Sequence, residues 1–187
     1  MVDALTFNMT FHGPFRVSSG SAGGGLDAVI DLSNPLPGSS LKGLMRDAAV
    51  ATLAADSALV ARVFGTEFAA SPWVWCDAEP GGGQWPTPNV RARVSIDEAS
   101  HTVLEDRIML GAVMEPTAPA TFQVLQAGSL SDAEGLVHEA LIRCAAAAIK
   151  HVGAERRRGL GWVSVVGDRP IVAKDIGLIR AGGTSNA

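Results

Sequence analysis

The sequence contains no tyrosine, and aromatic residues make up only 5% of its 187 residues. That argues against a protein built on aromatic stacking platforms. Its two cysteines, Cys76 and Cys144, are too few for a disulfide framework or a four-ligand zinc site, and they fit a reducing compartment. No apolar run approaches the roughly 18 residues of a membrane span. The first residues alternate where a signal peptide would carry a basic region and an apolar block, so neither an anchor nor a leader is expected. An excess of cations is also missing. The formal net charge is −4 and the pI about 5.5, which excludes a general, sequence-blind polyanion binder but leaves room for a local basic groove.

Hydrophobic residues, in contrast, reach 47%, against 18% charged, enough to bury a core. The length suits one domain spanning 1–187, cytoplasmic, with an unstructured polar tail from about 181 to 187. Leu5, Phe7, Met9 and Phe11 alternate with Thr6, Asn8 and Thr10, the pattern of a half-buried strand. Gly13, Pro14 and the GSAGGG run from Gly20 predict a surface loop. Behind Pro37 and Gly38, either Ser39 or Ser40 can cap a helix. Leu41, Leu44, Met45, Ala48 and Ala49 continue it at helical spacing to about Ala54.

Asp56 caps a second short helix that ends at Gly65, and Pro72–Cys76 reads as a strand followed by a loop, EPGGGQWPTP. Val90–Ile96 alternates as a strand, Glu98–Met114 reads as a long irregular hairpin, and Thr121–Leu125 as the returning strand. Ser131 and Glu134 form a capping box for a helix running to about His151, with Gly153 as its stop. WVSVV supplies a last short strand. The order strand, helix, strand, strand, helix, strand predicts an α+β fold, the ferredoxin-like βαββαβ pattern with long insertions.

Two segments concentrate groups that hold phosphate. In LPGSSLKGLMR (Leu36–Arg46), a helix N-terminus offers N–H donors, Ser39 and Ser40 add hydroxyls, and Lys42 and Arg46 share a face four residues apart. The plain alternative is a well-capped surface helix. In KHVGAERRRGLGW (Lys150–Trp162), Arg156, Arg157 and Arg158 stand beside Gly159 and Gly161. Glycine admits close backbone approach and arginine offers a planar fork to phosphate. A basic helix end followed by a tight turn is the competing explanation. Asp27, in the glycine-rich loop, is a lone carboxylate of the kind that binds a divalent ion or moves a proton, or simply solvates a turn. The four histidines show no metal-ligand spacing, and no nucleophile elbow is present.

PLPGSSLKGLMR resembles the first-helix signature of the CRISPR-associated RAMP proteins, P-G-S-S-L-K-G followed by an arginine. RRRGLGWVSV is similar to their C-terminal glycine-rich loop, and RVSID (Arg93–Asp97) to the central strand before the hairpin called the thumb. The subgroup most resembled is the repeating backbone subunit of type III effector complexes. The resemblance implies an RRM-like core whose copies stack with other effector-complex subunits along a CRISPR guide RNA. Ser39, Ser40, Lys42 and Arg46 would hold guide phosphates, with the arginines around Gly159 adding contacts. Arg16 stands where the family's first loop often has a histidine. The hairpin at about 98–114 would be the thumb. Asp27, or Asp31 in its place, would be the residue that cuts single-stranded target RNA with Mg2+ or Mn2+, through attack of a ribose 2′-OH on the adjacent phosphate. A structural RNA-binding subunit without catalysis is the alternative, and a repeat-processing nuclease using His12 a more distant one.

Overall fold

Strict alternation builds the centre of the molecule: Leu5, Phe7 and Met9 are buried, and the residues between them face away. The computed structural model describes residues 4–18, 30–96, 103–154 and 159–184. In chain order, the core elements are β1 (Leu5–Phe11), α1 (Gly38–Ala51), α2 (Ser57–Phe64), β2 (Trp73–Trp75) and β3 (Glu79–Pro80). They are followed by β4 (Asn89–Ile96), β5 (Val103–Val113), β6 (Ala120–Gln126), α3 (Asp132–Ala148), β7 (Val163–Gly167) and α4 (Ala173–Thr184).

The main sheet runs β2-β6-β1-β7, all antiparallel, with β3 a two-residue addition to β6. Without α2, β3, the β4–β5 pair and α4, this is βαββαβ with the first strand between the third and fourth, the ferredoxin-like order expected from sequence. Phe7 lies directly opposite Phe122, their rings stacked at 5.1 Å, a cross-strand pair that fixes the register. The alanine run of α3, with Ala140, Ala145 and Ala146 buried, lets that helix pack closely on the sheet and α1.

Local chemistry sets the helix ends. Asp56 accepts from the N–H groups of Ala58 and Leu59 to open α2, and Gly65 closes it at φ 75°. The Ser131–Glu134 capping box opens α3 as expected, and the two hydrogen bonds from Ser131 hold the Glu134 carboxyl below its ordinary range.

Four expectations need correction. Val90–Ile96 is no part of the central sheet; it is the first strand of a separate two-stranded hairpin with β5, so the hairpin spans 89–113 and begins earlier than 98. Val90 and Arg91 are both exposed, because a free hairpin alternates much as a half-buried strand does. Helix α3 ends at Ala148 and not near His151: the chain turns extended at Ile149, buries Ile149 and Val152, and brings His151 into a bridge with Trp162. The loop EPGGGQWPTP contributes β3 at its start. Finally, the tail expected to be unstructured from 181 is helical through Thr184. Asp175 organises α4 by accepting from the N–H of Val172 and from both Nη atoms of Arg169.

Candidate functional site

The start of α1 is shaped by a close approach. A Cβ at Gly38 would run into the Trp75 carbonyl, so only glycine lets the end of β2 pass over the helix N-terminus. Neither Ser39 nor Ser40 caps the helix, contrary to the expectation. The position before the helix is Pro37, and the Gly38 N–H donates to Oδ1 of Asp77 at 2.7 Å. An anion of the protein itself therefore sits at the positive end of α1. No local sequence signal couples Asp77 to a helix that starts 39 residues earlier.

The residues of α1 then divide between two flanks. Lys42 leans over Trp75, its Nζ 5.4 Å from the ring centroid, and Arg46 is exposed. Ser40, Gly43 and Asp47 line a cleft of about 600 Å³ whose other walls are Val17 and Ser18, and Gly153 and Ala154. A second hollow of about 280 Å³ shares Leu44 and Asp47 and continues past the end of α1 to Lys150 and His151.

Three backbone hydrogen bonds lace the wall opposite α1. Ala154 N–H donates to the Arg16 carbonyl at 2.8 Å, Gly161 N–H to Pro14 at 2.7 Å, and Val152 N–H to Gly161 at 2.8 Å. Gly153 and Gly161 both take positive φ, and a Cβ on either would overlap a carbonyl, that of Arg16 and Val152 respectively. Gly159 also has φ 80° but faces open space. The expected glycine-rich turn is real, and its geometry demands glycine at Gly161.

The last described residues before the two remaining candidate segments, Ser18 and Ala154, both line this cleft. Ser18 bridges Ile30 across the segment that holds Asp27, and Ala154 and Gly159 bracket Arg156, Arg157 and Arg158 in sequence. Asp27 and these three arginines lie outside the described residues. Asp31 is described and exposed, and it accepts from Ser33 N–H at 2.9 Å and Ser33 Oγ at 2.6 Å. Those bonds hold its carboxyl below the ordinary range. Among the described residues, no three His, Cys, Asp or Glu side chains come together to hold a metal ion.

Arg16 is not a groove residue in this structure. It is buried, with its guanidinium so close to β5 that a Cβ at Gly111 would overlap it, and thus braces the root of the hairpin. That root is fixed by paired hydrogen bonds between Phe15 and Met114, both 2.8 Å. The groups that sequence reasoning missed are Val17, Ser18 and Asp47 in the cleft and Asp77 at the helix start; their roles arise from approach of distant segments. His138 is buried and accepts from Trp73 Nε1 at 3.2 Å; burial lowers its pKa, which suits a neutral structural acceptor.

With this geometry in view, the chain was compared with known proteins. The model of the RAMP superfamily matches residues 10–164. No curated protein matches in sequence. Many solved chains match in structure. One belongs to the cryo-EM structure of the type III-B Cmr-beta bound to cognate target RNA: it shares 17% identity, with 91% of this chain and 60% of that one covered, at a TM-score of 0.64. This chain thus spans three-fifths of its solved counterpart, and at that identity the likeness is one of fold.

Proposed function

The chain belongs to the RAMP superfamily, and from that premise we propose that it is an RNA-binding subunit of a type III-like CRISPR effector complex, gripping the backbone of a guide RNA. One observation carries the reading: the PGSSLKG helix and Gly153–Ala154, at the start of the second motif string and 110 or more residues away in sequence, form two walls of one cleft. Phosphates would meet the Ser39 and Ser40 hydroxyls, Lys42, Arg46 and Arg156–Arg158. The first N–H of α1 is not part of that set, because Asp77 already takes it. The β4–β5 hairpin would serve as the thumb that separates guide from target. Base pairing by the guide, not this protein, would supply sequence specificity.

Within the same proposal, Asp27 acts on single-stranded target RNA. Its carboxylate would take the proton of a ribose 2′-OH as that oxygen attacks the adjacent phosphorus. The bond to the 5′-oxygen breaks, leaving a 2′,3′-cyclic phosphate and a 5′-hydroxyl. Mg2+ or Mn2+ would rest on Asp27 and on phosphate oxygens of the RNA, a sharing that hard cations accept. Copies of this chain and other subunits would be its protein partners.

The test is to express the chain with its genomic neighbours, sequence the RNA that copurifies, and assay target cutting by wild type and Asp27→Ala. The expectation is discrete RNAs with a repeat-derived end, and regular cuts that the variant abolishes. Copurified guide with cuts unchanged in the variant overturns Asp27; a complex free of RNA overturns the whole reading.

A further inference from the structure

The outer face of the sheet is polar along its middle, with Val74 and Val166 exposed toward its flanks. Thr6, Asn8 and Thr10 of β1, Thr121 and Gln123 of β6, and Ser164 of β7 point away from the helices and bond to one another in part, Thr121 to Asn8 at 3.0 Å. One corner differs. Trp162, just before β7, stands opposite His12, whose N–H donates to the Trp162 carbonyl at 2.8 Å, and it bridges His151 on its other side. Side chains at facing positions of neighbouring strands share a face, so His12, Trp162 and His151 form a row. The His151 ring meets the indole edge-to-face, centroids 4.4 Å apart and planes at 63°. His12 Nε2 lies 3.0 Å from Ser164 Oγ, which fixes the next ring in the row.

The other tryptophans have structural partners. Trp73 and Trp75 are buried, donating to His138 and to the Met45 sulfur, and Trp85 packs its edge on Phe11 and Phe15. Trp162 is 51% exposed. It directly follows the glycine turn, the Val163 N–H beside it donates to Lys150, and His151 lies between it and the hollow at the end of α1. A half-exposed indole braced by a neighbouring ring, directly after a glycine turn, is the arrangement that stacks an unpaired base with little ordering cost.

We propose that Trp162 is a stacking seat for one unpaired nucleobase of the RNA strand in the cleft, with His151 fixing the indole and His12 bounding the seat. This rests on the RNA-binding reading above. It also refines the expectation from composition: a chain poor in aromatics carries a stacking position without a platform.

The test uses the full chain with single-stranded oligouridylate and a same-length oligomer of abasic residues, followed by binding titration and tryptophan fluorescence. Wild type should prefer the base-bearing oligomer by about tenfold, the size of one stacked base, and its fluorescence should be quenched by that oligomer alone. Trp162→Ala should erase the preference while leaving affinity for the abasic oligomer unchanged, and Trp162→Phe should restore most of it. If the preference survives in Trp162→Ala, or if wild type binds both oligomers equally, the stacking seat is wrong and RNA binding stands. If wild type binds neither oligomer, both readings fall, and Trp162 is better explained as a protein contact.

Discussion

The two ends of the sheet use arginine in opposite ways. Beneath α4, Arg143 on α3 pairs with Asp168 and lies 4.0 Å from Glu139, while Arg169 holds Asp175 through bonds of 2.9 and 2.8 Å. Carboxylates from neighbouring elements meet both guanidiniums, and the outcome is a clamp that ties α3, β7 and α4 together. At the α1 end, Arg46 is exposed and Lys42 leans over Trp75, on a flank of the helix distinct from the one that lines the cleft. Composition cannot distinguish these uses. The same residue type is structural where the fold brings a carboxylate to it, and open to solvent at Arg46 on α1.

The sharpest way to break this contrast is within the glycine turn. Gly161→Ala adds a Cβ against the Val152 carbonyl at positive φ, and should cost about 3 kcal/mol or more, lowering Tm by roughly 6–12 °C. Gly159→Ala has the same φ sign in open space and should cost only about 1 kcal/mol of backbone strain. Equal melting temperatures for the two variants would show that the close packing of this turn is not what demands glycine.

The clamp should reveal itself in acid. Hydrogen bonds from Arg169 lower the Asp175 pKa from 3.8 to about 2. Because the folded value lies below the unfolded one, the stabilisation is complete above about pH 4 and is lost as pH falls toward 2. Asp175→Asn should therefore remove about 1–2 kcal/mol at neutral pH, and its deficit against wild type should shrink on acidification. A deficit that stays constant from pH 6 to pH 3 would refute the assignment.

The smallest effects separate the two ends by salt. Lys42→Ala or Arg46→Ala should each lower the slope of log affinity for RNA against log salt by about one and leave Tm nearly unchanged. Arg143→Ala should do the reverse, lowering Tm with the slope intact. Identical salt slopes for all three variants would remove the α1 cations from the binding surface.

The elements that were legible in the sequence are those whose signal is local. The alternation of β1, the apolar spacing of α1, Asp56 on α2 and the Ser131–Glu134 box on α3 each report a periodicity or a cap completed within a few residues. Helix α4 was not read from the sequence: Gly177 and Gly182 argue against a helix, and the hydrogen bond from Val172 N–H to Asp175 that organises its start is a structural finding. The hairpin was placed too late because alternation does not tell a core strand from a free one. At the site, the two motif strings were visible, but the lining of the cleft by Ser18 and Asp47, the capping by Asp77 and the burial of Arg16 were not.

By itself, then, the sequence determined the βαββαβ order and the two motif strings, since periodicity, capping and glycine spacing are properties of short stretches. Tertiary structure alone decided that the strings face each other, that Arg16 braces a hairpin, and that Trp162 stands exposed between two histidines. Those outcomes depend on sheet register and loop closure, which join residues about 110 to 150 positions apart, and no local pattern encodes a distance of that kind.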